Sequence, residues 1–439
     1  MHDYVNWLRH SSPYINSHRE RTFVIMLPGE SLAHDNINGI VHDLVLLHSL
    51  GVRLVLVHGS RPQIEQALTA RQLPSHYHHD LRITDNDTLD CIIAAVGQLR
   101  CQLEASLSVN MAASPMQGAK VRVVSGNFVT AKPFGVVDGV DYLHTGEVRR
   151  IDHEAIKQLL SQRHMVLLSH LGYSPTGEVF NLSCEEVATH TAIALNADKL
   201  ILFNAEQGLL DNNGELIREL NLQQAQQLLQ QSTEQAVITA LKAAVNASAA
   251  GIPRCHIISY QRDGALLSEL FTRDGCGTLV DQGTFEQVRE ATIEDVGGLL
   301  ELIRPLEEQG LLVRRSRDLL EQEISQFSVV ERDGLLIACA ALYPFPEEHT
   351  GELACLAVHP DYRHGQHGDT MLARIARRAR DSGLTSLFVL TTRTAHWFHE
   401  RGFQPCQISD LPQRKAALYN FQRNSKVLRL ALPDKLPLP

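Results

Sequence analysis

The sequence predicts an α/β chain built as two successive domains: a mainly parallel sheet sandwiched by helices over residues 1–284, then an α+β domain over residues 285–439. Three observations carry this. At 439 residues the chain exceeds one ordinary domain and suffices to bury two cores. Short β-rich runs alternate with helical patterns through the first part. Around residues 278–286 the pattern lapses into glycine and polar residues before a new unit opens.

The elements follow in order. Residues 2–18 place Val5, Leu8 and Tyr14 at helical spacing, broken at Pro13, which predicts a short amphipathic helix that docks on a partner subunit. Residues 23–27 are a buried-strand run ending in the turn Pro28-Gly29, and residues 36–50 read as a helix. A second strand over 54–58 ends in Gly59-Ser60, and further strand runs stand at 121–124, 165–169, 199–203 and 255–259. In the second domain Thr292 is placed to cap a helix over 293–306. Strands are expected near 328–332, 335–342, 352–358 and 387–391, with helices at 368–381 and 395–401.

Composition narrows the function. A hydrophobic share of 44% with 21% charged residues describes a soluble globular protein, and a net charge of −10 disfavours nucleic acid and anionic membranes as partners. Small molecules are the expected ligands. The eight cysteines contain no C-x-x-C pair, so they are expected as reduced thiols, with no metal site. Residues 1–21 lack the apolar core of a signal peptide, and no run reaches the length of a membrane span. A cytoplasmic location is expected.

Chemistry concentrates in the second domain. In residues 358–368 a strand ends, Pro360 stops it, and a polar turn opens a helix whose first free N–H groups can cradle a pyrophosphate. This stretch, with Arg363 and Gly368, resembles the phosphate-binding motif of the GNAT acetyltransferase superfamily, although the middle glycine of that motif is Gln366 here. Backbone amides do the cradling, so Gln366 is compatible if its φ is negative, and Gly368 is expected to let the pyrophosphate approach closely.

Acetyl transfer to an amino acid needs a neutral amine, and amino groups are mostly ammonium at neutral pH, so a base is required within hydrogen-bond or one-water reach. Glu352, at the entrance of the apolar strand preceding the motif, is the candidate, with His349 as the fallback. Related enzymes protonate the leaving thiolate with a tyrosine, where this chain has Phe398. Thr391 and Thr392 are alternative hydroxyls, and that acid stays unassigned.

Domain order, residues 351–360 and 397–403, the run 302–310 and the ending Arg423-Asn424-Ser425 together resemble the bacterial N-acetylglutamate synthase family of amino-acid N-acetyltransferases. The resemblance implies acetyl transfer from acetyl-CoA to L-glutamate as the first step of arginine biosynthesis, with feedback inhibition by L-arginine, no metal and a homohexamer. It also implies site residues. Arg315, Arg423 and Ser425 would hold the glutamate carboxylates, and Cys355 and Thr391 would line that pocket. Leu356, Ala357, Val358, Arg363, Gln366, His367 and Gly368 would hold the cofactor.

The first domain resembles the amino-acid kinases, but with its phosphate-handling groups replaced. Met26 stands where those kinases have a lysine, Pro28 where they have a glycine, and Ala205 and Ala240 where they have further polar or charged groups. Phosphoryl transfer relies on cationic charge and dense donors, so kinase activity should be lost unless Lys242 or Lys199 has taken over. What remains is a binding frame. The resemblance implies an arginine site in the C-terminal lobe, with Lys199, His256, Glu269, Gly275 and Gly277 as contacts and Tyr14 beside it on the N-terminal helix. Two other readings stay open: a bifunctional synthase/kinase, and a non-enzymatic arginine sensor.

Overall fold

The computed structural model describes residues 11–108, 121–211, 213–231, 235–272, 275–281, 286–332, 335–363 and 366–432. The chain divides into two compact units, Met1–Gly283 and Thr284–Pro439.

In the first unit eight strands form one sheet, in the order Glu219–Asn221, Thr278–Asp281, Arg254–Ser259, Lys199–Asn204, Thr22–Leu27, Arg53–His58, Met165–Ser169 and Val123–Val124. All neighbours run parallel except Arg254–Ser259 against Thr278–Asp281. The central strands read as continuous apolar runs because both faces are buried. Val24 and Met26 enter one core with the helices Cys184–Leu195 and Gln235–Ala249, while Phe23, Ile25 and Leu27 enter another with the helix Ile37–Ser49. A second sheet of four strands, Val179–Asn181, Leu171–Tyr173, Val129–Pro133 and Gly146–Ile151, did not register in the sequence, its strands being short and partly polar.

The N-terminal helix is described from residue 11, and residues 11–18 are helical, so Val5 and Leu8 lie outside the described residues. Tyr14 and Ile15 pack against the Phe23 core.

In the second unit seven strands form a mostly antiparallel sheet: Glu286–Glu290, Phe327–Arg332, Leu335–Phe345, Thr350–Val358, Ser386–Thr391, Lys426–Ala431 and Gln404–Pro405. Thr292 caps as expected, its N–H donating to Asp295 Oδ2 at 2.7 Å. The first turn is a 3₁₀ segment, Ile293–Asp295, and the α-helix proper is Val296–Glu308. The helix His367–Asp381 packs through Met371, Ile375 and Ala379 on one face of the sheet, and Val296–Glu308 packs through Leu299 and Ile303 on the other.

Candidate functional site

The feature that shapes the second unit is a strand that leaves its neighbour. Thr350–Val358 pairs along its length with Leu335–Phe345, but with Ser386–Thr391 it pairs only over three residues, ending at Glu352↔Phe388. Beyond Glu352 the two parallel strands separate into a wedge. Their facing N–H and C=O groups are left for a ligand, as an extended amide-bearing arm requires.

A bulge decides which side chains line the wedge. Cys355 has φ +51, and the pairing register shifts between Cys339 and Ala341 opposite it. Without the bulge, Cys355 would share the face of Leu353, two residues earlier. With it, Leu353 stays in the core of helix His367–Asp381, while Cys355 and Ala357 turn into the core of helix Val296–Glu308. Tyr343, the antiparallel partner of Glu352, packs on that second core too, so Glu352, Tyr343 and Cys355 share one face.

Arg315 reaches this face from the loop after Val296–Glu308. Its N–H donates to Glu307 Oε1 at 2.9 Å and its Nη1 donates to Val313 O at 3.1 Å. Burial pushes the Cys355 thiol up to about 11 even with the Arg315 charge acting against it. Tyr343 donates its hydroxyl to Glu323 Oε2 at 2.5 Å. Burial, then that carboxylate, raise its phenol well above the usual range.

Arg423 converges on the same loop from the other side. It lies in a turn before the last strand, and its Nη2 donates to the carbonyls of Gly310, at 3.3 Å, and Leu311. Its Nε is buried without a hydrogen-bond partner among the described residues, a donor left unsatisfied there. Ser425 is half-buried, its carbonyl accepting from Tyr419 Oη at 2.6 Å. Thr391, where the second strand of the wedge ends, shares a 2.7 Å hydrogen bond with Thr394 Oγ1. Glu352 is buried, and its Oε2 lies 2.6 Å from Lys415 Nζ. Sequence reasoning missed Lys415, Tyr343 and Glu323. Only a mapping of pairing partners and cross-sheet docking would have found them.

At the far end of the wedge stands the helix His367–Asp381. Gln366 precedes it with φ −82, the sign a non-glycine residue needs, and its side chain makes no cap hydrogen bond with the described residues. The first-turn carboxylate of Asp369 would oppose an anion, but Arg401 holds both its oxygens, Nη2 to Oδ2 at 2.9 Å and Nε to Oδ1. Arg363 is exposed, and His367 stacks edge-on to Tyr362 with ring centroids 5.7 Å apart. His364 and Gly365 of the motif lie outside the described residues. Gly368 has no positive φ, and an added Cβ would sit 3.0 Å from Trp397 Cζ2, so Trp397 packs tightly on the helix start there. Phe398 is core, edge-on to Trp397 and Phe403.

In the first unit a cavity of about 1080 Å³ opens at the carboxyl ends of the parallel strands, lined by Gly29, Ser60, His170 and Lys242 among others. Met26 is buried beneath it, its sulfur 3.8 Å from Cys184 Sγ. Lys199 starts its strand at the opposite end of the sheet, which removes it as a stand-in for a lost kinase lysine.

Lys199 belongs instead to a buried cluster. Its Nζ is 3.5 Å from His256 Nε2, and His256 Nδ1 is 2.7 Å from Glu269 Oε1. The other oxygen of Glu269 accepts from the N–H groups of Cys276 at 2.7 Å and Gly277 at 2.9 Å. The glycines are sterically required. Gly275 has φ +59, and a Cβ on Gly277 would meet Ile257 O at 2.3 Å. Glu269 is brought down to about 2: its burial works against this, but the hydrogen bond and charge of His256 and the two amides outweigh it. Burial, then Arg254, lower Lys199 to about 7, and burial also lowers His256. Tyr14 stacks toward His18 with centroids 6.5 Å apart, and His18 Nε2 lies 2.8 Å from Leu270 O in the helix that carries Glu269.

The wedge, the uncapped helix start and the buried carboxylate define an acetyltransferase of the GNAT class, attached to an amino-acid-kinase fold. Residues 21–259 match the amino acid kinase family and residues 297–403 match the acetyltransferase (GNAT) family. The chain belongs to the amino-acid acetyltransferase family. It is 67% identical over 432 residues to the amino-acid acetyltransferase of Ectopseudomonas mendocina, covering 98% of this chain and 100% of that one. The enzyme of Azotobacter vinelandii is 68% identical over the same span. Among solved structures, N-acetylglutamate synthase from Neisseria gonorrhoeae complexed with coenzyme A and L-arginine is similar, with TM-score 0.89 and 37% identity over 98% of this chain and 99% of that one.

Among the described residues, no group of His, Cys, Asp and Glu is arranged to hold a metal ion, and no helix is long and apolar enough to cross a membrane.

Proposed function

We propose that this enzyme transfers the acetyl group of acetyl-CoA to the α-amino group of L-glutamate, giving N-acetyl-L-glutamate and CoA, as the first step of arginine biosynthesis. One observation carries the reading: the face that the Cys355 bulge turns toward Glu352 also receives Arg315, beside the wedge where the paired strands part.

In this reading the acetyl-pantetheine arm lies in the wedge beside Leu356, Ala357 and Val358. The pyrophosphate meets the helix start at Gln366, His367 and Gly368, with Arg363 nearby. The glutamate carboxylates take Arg315, Arg423 and Ser425, for which guanidinium forks are well suited. Cys355 and Thr391 line the pocket. Glu352 accepts a proton from the substrate ammonium, the free amine attacks the thioester carbonyl, and the tetrahedral adduct collapses with loss of CoA thiolate, which takes up the second amine proton to leave as CoA.

Residues 1–284 act as the regulatory domain and residues 285–439 as the catalytic one, in a cytoplasmic homohexamer. L-Arginine binds the first domain and inhibits. Its carboxylate pairs with Lys199, and its guanidinium meets Glu269 and the carbonyls of Gly275 and Gly277, with His256 and Tyr14 alongside. The complex of the similar Neisseria gonorrhoeae N-acetylglutamate synthase with L-arginine supports this assignment.

The test is a CoA-release assay across amino acids, with and without arginine, on the wild type and Arg423→Ala. Glutamate-dependent release that arginine suppresses and the substitution abolishes is the expected result. Unchanged turnover in Arg423→Ala removes Arg423 from the pocket.

A further inference from the structure

A primary ammonium already stands at the base. Lys415 Nζ lies 2.6 Å from Glu352 Oε2, with the lysine side chain 27% exposed and the carboxylate 9%. Its short helix, Gln413–Ala416, is fixed to the sheet: Leu411, Ala416 and Tyr419 pack on Phe388 and Val427. Phe388 is the residue paired with Glu352 where the wedge begins. Lys415 therefore offers, at the apex of the wedge, the same group, charge and hydrogen bond that an amino-acid ammonium brings to the base.

We propose that Lys415 is an internal acetyl acceptor: with acetyl-CoA bound and no amino acid in the site, the enzyme acetylates its own Lys415. This rests on the assignment of Glu352 as base and of the wedge as the thioester site. Glu352 takes one proton from the ε-ammonium, and the freed lone pair forms the C–N bond to the thioester carbonyl. The C–S bond then breaks, and the departing thiolate takes the second amine proton as CoA–SH. The products are Nε-acetyl-Lys415, CoA and one proton that Glu352 returns to solvent.

The modification neutralises the Lys415 charge and leaves an acetamide against Glu352, where the acceptor amine must dock. Glutamate protects by placing its own ammonium on Glu352 and releasing Lys415 toward the solvent it already partly contacts. Modification thus becomes a brake that operates when donor is abundant and acceptor is scarce.

The experiment incubates the full-length protein with acetyl-CoA, with and without saturating L-glutamate, and maps acetylated peptides over time while CoA release is followed in the same preparation. Glu352→Gln and Lys415→Arg are run in parallel. Expected is accumulation of acetyl-Lys415 toward one per chain, at least about tenfold slower with glutamate or in Glu352→Gln, and faster than at any other lysine. Lys415 left unmodified, or modified no faster than other lysines, in protein that turns over glutamate overturns the inference alone. Absence of glutamate-dependent CoA release overturns the reading beneath it.

Discussion

At the scale of single residues, the acceptor pocket turns on guanidinium geometry. Arg315 is held through its backbone by Glu307 and donates Nη1 to Val313 O, which fixes the plane of its guanidinium fork, and Arg423 keeps a buried Nε without a partner among the described residues. Lysine retains the charge of Arg315 but loses the fork. Arg315→Lys is therefore expected to raise KM for glutamate about 10- to 100-fold, or about 1.4 to 2.8 kcal/mol, with a smaller change in kcat. Steady-state kinetics that leave KM within about twofold would sink the assignment. Glu352, Arg315 and Arg423 could be proposed from the sequence because each sits inside a local motif. Lys415 could not: Gln413-Arg414-Lys415-Ala416 reads as an ordinary solvated basic turn, and its pairing arises only because Leu411 and Ala416 dock on a strand residue far away in the chain. The contact of Trp397 with Gly368 was not legible either, since Trp397 reaches it from another helix.

At the scale of elements, two local devices place the chemistry: the bulge at Cys355 and the glycine loop around Glu269. Periodicity located the central strands of the two large sheets to within a few residues and missed the four-stranded sheet and several edge strands. The bulge was invisible to it too, because a left-handed cysteine leaves no mark in a pattern of apolar residues. The glycine loop offers the sharper test. Gly277→Ala would drive a Cβ into the Ile257 carbonyl, which is backbone and cannot swing aside, and would pull one amide off the Glu269 carboxylate. A cost of about 1–3 kcal/mol in the first unit is expected. Acetyl transfer should persist while inhibition by arginine weakens at least about tenfold, the loss of one charge-assisted hydrogen bond. Retained arginine sensitivity in a folded variant would separate the loop from the effector. On the helix start, Gly368→Ala should lower the melting temperature through the Trp397 clash and leave KM for acetyl-CoA within about twofold. A selective rise in that KM would show that the glycine is needed for close approach of the pyrophosphate.

At the scale of the whole molecule, the first unit carries charge at both ends of its large sheet. Its cavity keeps Lys242 on its lining but has Met26 beneath it where the kinases have a lysine, so ATP with glutamate or N-acetylglutamate should yield no ADP; stoichiometric turnover would contradict this. At the opposite end of the sheet Lys199 is enclosed by His256, Glu269, Arg254, Asp198, His18 and the ring of Phe23. Burial, then Arg254, bring Lys199 to about 7, so above that pH the free protein carries a neutral amine there. In the proposed effector site an arginine carboxylate needs the ammonium, so binding above pH 7 would take up a proton. Linkage fixes the sign: affinity for arginine is expected to be highest below about pH 7 and to fall as pH rises, by at most about tenfold per unit for one proton. Below pH 7 the same proton is already bound and affinity levels off. Calorimetry at about pH 8 in buffers of different ionisation enthalpy should find close to one proton taken up per arginine, and Lys199→Met should abolish that uptake. An arginine affinity that stays flat from about pH 7 to 8.5, with no proton uptake, would mean that Lys199 does not meet the effector's carboxylate.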